Sequence, residues 1–174
     1  MKKILLMALV AASSAQAASD SARITITGNV LSNTCTIDNG SANQTVVLPD
    51  ISDRDISGKG KLGGLTNVTI KLNDCGTAAS EVEVSASGNQ DDEDATAFSN
   101  SVSQEDGGAT GVGVYFYHTD GATKFLPDGS VTQVSKLTPL SDNTLNYQAS
   151  YVGINDTVTA GPFSTVVNMT FTYQ

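Results

Sequence analysis

The sequence has one histidine, two cysteines and half as many basic as acidic residues, nine against 18. A lone His118 leaves a nucleophilic thiol or a zinc site without the companion ligands and bases that either chemistry needs. Scarce basic residues weigh against a phosphate-backbone or anionic-lipid surface, so nucleic acid is not an expected partner. Apolar runs are short: the longest near the N-terminus, Ile4 to Ala12, has nine residues, too few to span a bilayer. Helical periodicity is almost absent along the whole chain.

The N-terminus defines the compartment. Met1-Lys2-Lys3 is basic, the apolar run follows, and Ala15-Gln16-Ala17 supplies a small-x-small cleavage site. Residues 1–17 read as a secretory signal, with no membrane insertion after its removal. The mature chain then keeps seven basic residues against 18 acidic, a formal charge of −11. About 157 residues suit one domain with its own core. In an oxidising compartment Cys35 and Cys75 are expected to form a disulfide, closing a 40-residue loop and stabilising the fold by roughly 4 kcal/mol.

The segments 45–51, 65–73, 80–88, 111–119, 143–153 and 163–174 are β-branched or aromatic and are separated by Gly, Asn, Asp and Ser. They predict an all-β chain, and a secreted domain with one disulfide favours an immunoglobulin-like β-sandwich over a closed barrel. The glycine-rich stretch 57–64 lacks the phosphate-loop spacing and reads as a mobile loop. Four consecutive acids, Asp91 to Asp94, lack the alternating oxygens of a calcium loop and read as solvated surface. His118 follows three aromatic residues at a strand end and is expected to be solvated or hydrogen-bonded. No cofactor, metal or catalytic group is expected, and an enzyme is the least favoured class.

Both ends of the mature chain carry alternating strands. In residues 21–35, Ala22, Ile24, Ile26, Gly28 and Val30 lie on one face, while Arg23, Thr25, Thr27 and Asn29 lie on the other. In residues 163–174, Phe163, Val167, Met169, Phe171 and Tyr173 share a face, with Thr165 its polar exception. Long, regular edge strands invite pairing with another chain.

An alternating N-terminal segment with an internal glycine before the first cysteine, a second cysteine closing residues 68–75, penultimate Tyr173, and Gly161 fourteenth from the end occur together. In this combination the chain resembles the chaperone–usher pilins, subunits of the type 1-like fimbriae of Gram-negative bacteria, either a major subunit or a minor tip-adaptor subunit. The resemblance implies an incomplete immunoglobulin-like β-sandwich that lacks its last strand. It implies a donor segment over 18–31 and a pilin domain over 32–174. A periplasmic chaperone fills the groove beside the last strand until an outer-membrane usher passes the subunit on, and a neighbouring pilin subunit's donor segment then replaces it in the fimbria at the cell surface. Strand addition of this kind uses backbone hydrogen bonds for affinity and alternate side chains for specificity.

Under that reading Ile24, Ile26 and Val30 each contribute roughly 1.5–3 kcal/mol on burial. Gly28 lets two backbones approach, and Gly161 and Tyr173 belong to chaperone and usher recognition. The alternative is a free-standing secreted β-sandwich that binds a carbohydrate or a protein, with its first strand folded into its own domain.

Overall fold

The computed structural model of the chain describes residues 21–28 and 34–174. The chain divides into two units, Met1–Val30 and Leu31–Gln174. In the first, residues 21–28 form neither helix nor strand and all are exposed. The alternation expected to make a strand there has no ladder partner. Residues 1–20 and 29–33, which include Val30 and the expected signal, lie outside the described residues.

The second unit is a sandwich of two antiparallel sheets. Its strands are β1 (Thr36–Ile37), β2 (Leu62–Asn73), β3 (Glu81–Gly88), β4 (Val112–Tyr117), β5 (Lys124–Phe125), β6 (Asp128–Lys136), β7 (Asn143–Gly153) and β8 (Val167–Tyr173). One sheet runs β1-β2-β7-β4-β5 and the other β6-β3-β8. Strand β4 lies between β7 and β5, and all of its residues are buried, as a continuous apolar run demands. Strand β3 instead alternates Val82, Val84 and Ala86 inward with polar residues outward.

The inner faces meet in one main core. Val68, Ile70 and Leu72 of β2, Leu145 and Tyr147 of β7, and Phe116 of β4 pack with Val82 and Val84 of β3. Phe116, Phe125 and Tyr147 stack mutually with ring centroids 5.6 to 5.9 Å apart. The Cys35–Cys75 disulfide forms where the β1–β2 ladder begins, beside the Thr36–Asn73 pair.

Three expectations are corrected. The apolar run 45–51 is not a strand; Pro49 offers no N–H to a ladder, and Val46 and Leu48 pack half-buried on the core. The glycine-rich 57–64 stretch is not a loose loop, because Leu62–Gly64 already belong to β2. Its backbone is also held by bonds from Gly60 N to Gly153 O (2.8 Å) and from Gly153 N to Lys61 O (2.8 Å). Gly64, at φ +67°, sits at the bulge where the β2–β7 register shifts. Finally, β6 forms from a largely polar sequence that gave no strand signal.

Candidate subunit-docking groove

Among the described residues, strand β8 has a neighbour on one side only, β3, with which it pairs from Val82–Tyr173 to Gly88–Val167. The sequence alternation of 163–173 is reproduced side chain by side chain: odd residues are half-buried and even residues exposed. Phe163, Val167, Met169, Phe171 and Tyr173 all pack against the main core. A groove of about 1120 Å³ opens along this row. Phe163, Thr165, Val167, Met169 and Phe171 line it from the β8 side and Val46, Leu48 and Ile51 from the other, with Ile70, Phe116 and Tyr151 also on its walls. An apolar trough beside a strand with a free edge presents both backbone hydrogen-bonding groups and side-chain pockets to an added strand.

The segment leading into β8 is clamped. Asn100 Nδ2 donates to Pro162 O (3.1 Å) and to Ala109 O (2.9 Å), and Asn100 Oδ1 accepts from Ser164 N (3.0 Å). Ala109 N donates to Pro162 O (3.0 Å) and Ser101 N to Ser164 O (2.7 Å). Gly161 lies inside this clamp, where a Cβ would meet Gly107 O and come within 2.6 Å of Ala109 N. Its glycine is thus required by close backbone approach. Asn100 was missed in the sequence, where nothing distinguishes it from the many other polar loop residues.

Tyr173 does not line the groove; its hydroxyl is buried without a partner, and burial raises its pKa above the ordinary phenol value. Thr165 Oγ1, which does belong to the groove wall, is also buried and partnerless. Of the donor-segment residues, Ala22, Ile24, Ile26 and Gly28 are exposed, Ile24 by 81% and Ile26 by 91%. No heavy atom lies within 4 Å of where a Cβ would stand on Gly28. The described residues therefore give no packing reason for that glycine.

The two chemical candidates have structural employment. Asp94 accepts from Tyr115 Oη (2.5 Å), Thr96 Oγ1 (2.7 Å) and Thr96 N (3.0 Å). Burial opposes its ionisation, yet the bonds from Tyr115 and Thr96 prevail and hold its carboxyl below the usual range. Burial and the bond to Asp94 push Tyr115 up to about 12. Lys124 Nζ sits 3.6 Å from the Tyr115 ring centroid and bonds Thr96 Oγ1. The acidic run is therefore fastened to β4 at its last residue. His118, expected to be solvated or hydrogen-bonded, is instead buried at 6% exposure with its ring centroid 4.0 Å from that of Phe125 and Nε2 unpartnered.

The fimbrial protein family model matches residues 24–174. The chain belongs to the fimbrial protein family. It is 31% identical to the laminin-binding fimbrial subunit ElfA of Escherichia coli O157:H7, over 99% of each chain. It is 33% identical to long polar fimbria protein A of Salmonella typhimurium, over 100% of this chain and 98% of that one. Its fold is like the crystal structure of the P pilus rod subunit PapA, with a TM-score of 0.67 and 24% identity, covering 80% of this chain and 99% of the other. The protein is a structural subunit of an adhesive fimbria, located in the fimbrium at the cell surface, where its partners are other pilin subunits. Among the described residues no helix is long and apolar enough to cross a membrane.

Proposed function

We propose that this fimbrial subunit polymerises by donor-strand exchange and does no chemistry. Signal removal after Ala17 leaves residues 18–31 as the donor segment and 32–174 as the pilin domain. A periplasmic chaperone occupies the groove beside β8 first, an outer-membrane usher presents the subunit, and a neighbour's donor segment takes the chaperone's place. The observation that carries this reading is the one-sided pairing of β8 alongside an open apolar groove. The exposed Ile24 and Ile26, with Gly28 in open space, supply matching side chains for such a groove. In this role Gly28 lets the added backbone sit close, and Gly161 and Tyr173 serve chaperone and usher recognition. Laminin binding is stated in one relative's name and supports a role for the assembled fibre in attachment.

The test is thermal unfolding of the full mature chain, purified without chaperone and kept dilute, with and without a peptide of residues 18–31. Saturating peptide is expected to raise Tm on the order of 10 °C, and a peptide with Ile24 and Ile26 replaced by serine is expected to do nothing. A Tm indifferent to the native peptide, and to related fimbrial donor peptides, rules the reading out in favour of a free-standing binding module.

A further inference from the structure

Four dipeptides in the chain set an asparagine or aspartate directly before a glycine: Asn39–Gly40, Asp106–Gly107, Asp120–Gly121 and Asp128–Gly129. At such pairs a polypeptide can react with itself, and asparagine is the more labile of the two side chains. The glycine nitrogen attacks the preceding side-chain carbonyl carbon, and no Cβ on the glycine hinders the approach. For asparagine a bond forms from that nitrogen to Cγ, the bond from Cγ to the side-chain amide breaks, and ammonia leaves. Water then opens the five-membered succinimide to aspartate or to isoaspartate. The nitrogen must shed its proton to attack, so an N–H held as a hydrogen-bond donor is withdrawn from the reaction.

The fold engages all four glycine amides. Gly107 N donates to Gln104 O, Gly121 N to His118 O and Gly129 N to Leu126 O, each at 3.0 Å. These three bonds run from main chain to main chain within turns. The aspartates before them are also occupied: Asp106 accepts from Ser103 Oγ (2.6 Å), Asp120 from Thr123 Oγ1 (2.6 Å) and Asp128 from Ser130 Oγ (2.7 Å). Asn39–Gly40 differs on both counts. It carries the asparagine, and its glycine is held by a side chain, Gly40 N donating to Asp38 Oδ2 (3.0 Å). Asn39 and Gly40 are exposed, so water reaches the place where the ring would form.

We propose that Asn39 is a latent deamidation site that the Asp38 carboxylate keeps closed. Asp38 opposes the reaction in two ways. Its oxygen binds the proton that Gly40 N must lose, and its negative charge disfavours the anionic nitrogen that attacks. Asp38 is itself fixed on β2: Asn73 Nδ2 donates to its Oδ1 (3.3 Å), and its own N donates to Lys71 O (3.0 Å). The group that guards the Asn39–Gly40 bond is therefore anchored outside the single helical turn, Asn39–Ala42, that contains it.

The site adjoins the groove. Two residues on, Ser41 lines the groove wall and its Oγ accepts from Lys71 N (3.0 Å), and Ala42, Asn43 and Gln44 continue that wall. Isoaspartate at 39 routes the main chain through the side-chain carbon and adds a methylene between Asp38 and Ser41. The bonds from Ser41 N (2.8 Å) and Ala42 N (2.9 Å) to Asp38 O cannot both survive that insertion unchanged. Deamidation thus adds a negative charge and displaces one end of the groove wall.

Peptide mapping by mass spectrometry on the full mature chain tests this. Parent, D38A and D38S chains are held folded in mildly alkaline buffer, and the exchange of NH for O at residue 39 is followed with time, isoaspartate being separated from aspartate by chromatography. The parent is expected to keep Asn39, and D38A to lose it on the order of tenfold faster, as the removal of one charge-assisted hydrogen bond implies. D38S keeps an oxygen that can accept from Gly40 N and is expected to fall between them. Equal rates in the parent and D38A, or equal acceleration in D38A and D38S, overturns Asp38 as the guard. The parent alone supplies a comparison that needs no variant to fold: Asn39 is expected to react faster in urea than in buffer, and equal rates overturn protection by the fold.

Discussion

Tyr151 and Phe163 meet edge to face, ring centroids 5.6 Å apart and planes at 89°. Tyr151 belongs to β7 of the five-stranded sheet, whereas Phe163 leads into β8 of the other, and both line the groove. The contact therefore joins the two layers at the groove wall. Replacing Phe163 by alanine is expected to lower stability by about 2 kcal/mol, the aromatic pairing plus part of the burial of a half-exposed ring. Urea unfolding of the isolated subunit measures the loss, and the same variant should bind the 18–31 peptide more weakly.

Gly161 and Gly28 should respond oppositely to alanine. At Gly161 the new methyl meets the backbone of Gly107–Ala109, which cannot yield as a flexible side chain would. A loss of about 2–4 kcal/mol in unfolding free energy is expected. At Gly28 there is open space, so the isolated subunit should unfold within about 0.5 kcal/mol of the parent. Any effect of Gly28→Ala should appear only when copies associate.

Tyr115→Phe removes the hydroxyl that donates to Asp94 and leaves a carboxylate short of one partner. A destabilisation of about 1–3 kcal/mol is expected, and the paired variant Tyr115→Phe/Asp94→Asn should recover part of it. A double-mutant cycle by chemical denaturation reads the coupling.

The buried His118 gives a pH signature. Burial disfavours its charged form, Asp120 favours it, and the balance sets the folded-state pKa below the ordinary 6.5. The unfolded chain thus takes up the proton more readily. The contribution of neutral His118 is complete above about pH 6.5 and is lost as pH falls through the folded-state pKa. The urea midpoint is expected to drop between about pH 7.5 and pH 5, and His118→Phe should flatten that drop. Asp120, held down to about 2 by bonds from Thr123 and Ala122, loses its own contribution only in a more acidic window, so the two are separable.

Sequence patterning revealed most of the sandwich because its strands are dense in β-branched and aromatic residues. Strands β3, β4, β7 and β8, with β2 from Leu65 onward, fall within apolar or alternating runs, and the half-buried row of β8 was readable residue by residue. Strand β6 was not: Val131 and Val134 are its only aliphatic residues, and Val134 is 54% exposed. Its strand is imposed by pairing with β3. The run 45–51 misled in the other direction, because apolar content there serves packing against the core without a ladder. The Asn100 clamp and the Asp94–Tyr115 bond were invisible for a different reason. They join residues 62 and 21 positions apart through space, and a single polar letter carries no record of such a partner.

The free edge of β8 also bears on what stability means for this subunit. Among the described residues β3 is its single neighbour, and under the proposed strand addition the smaller sheet gains its next strand from a separate molecule. The last step of folding is then bimolecular, its equilibrium depends on subunit concentration, and dilution acts on the fibre as a denaturant. Extracting one subunit from such a fibre is a local unfolding event, so the mechanical strength of each joint is set by the unfolding kinetics of a single β-ladder.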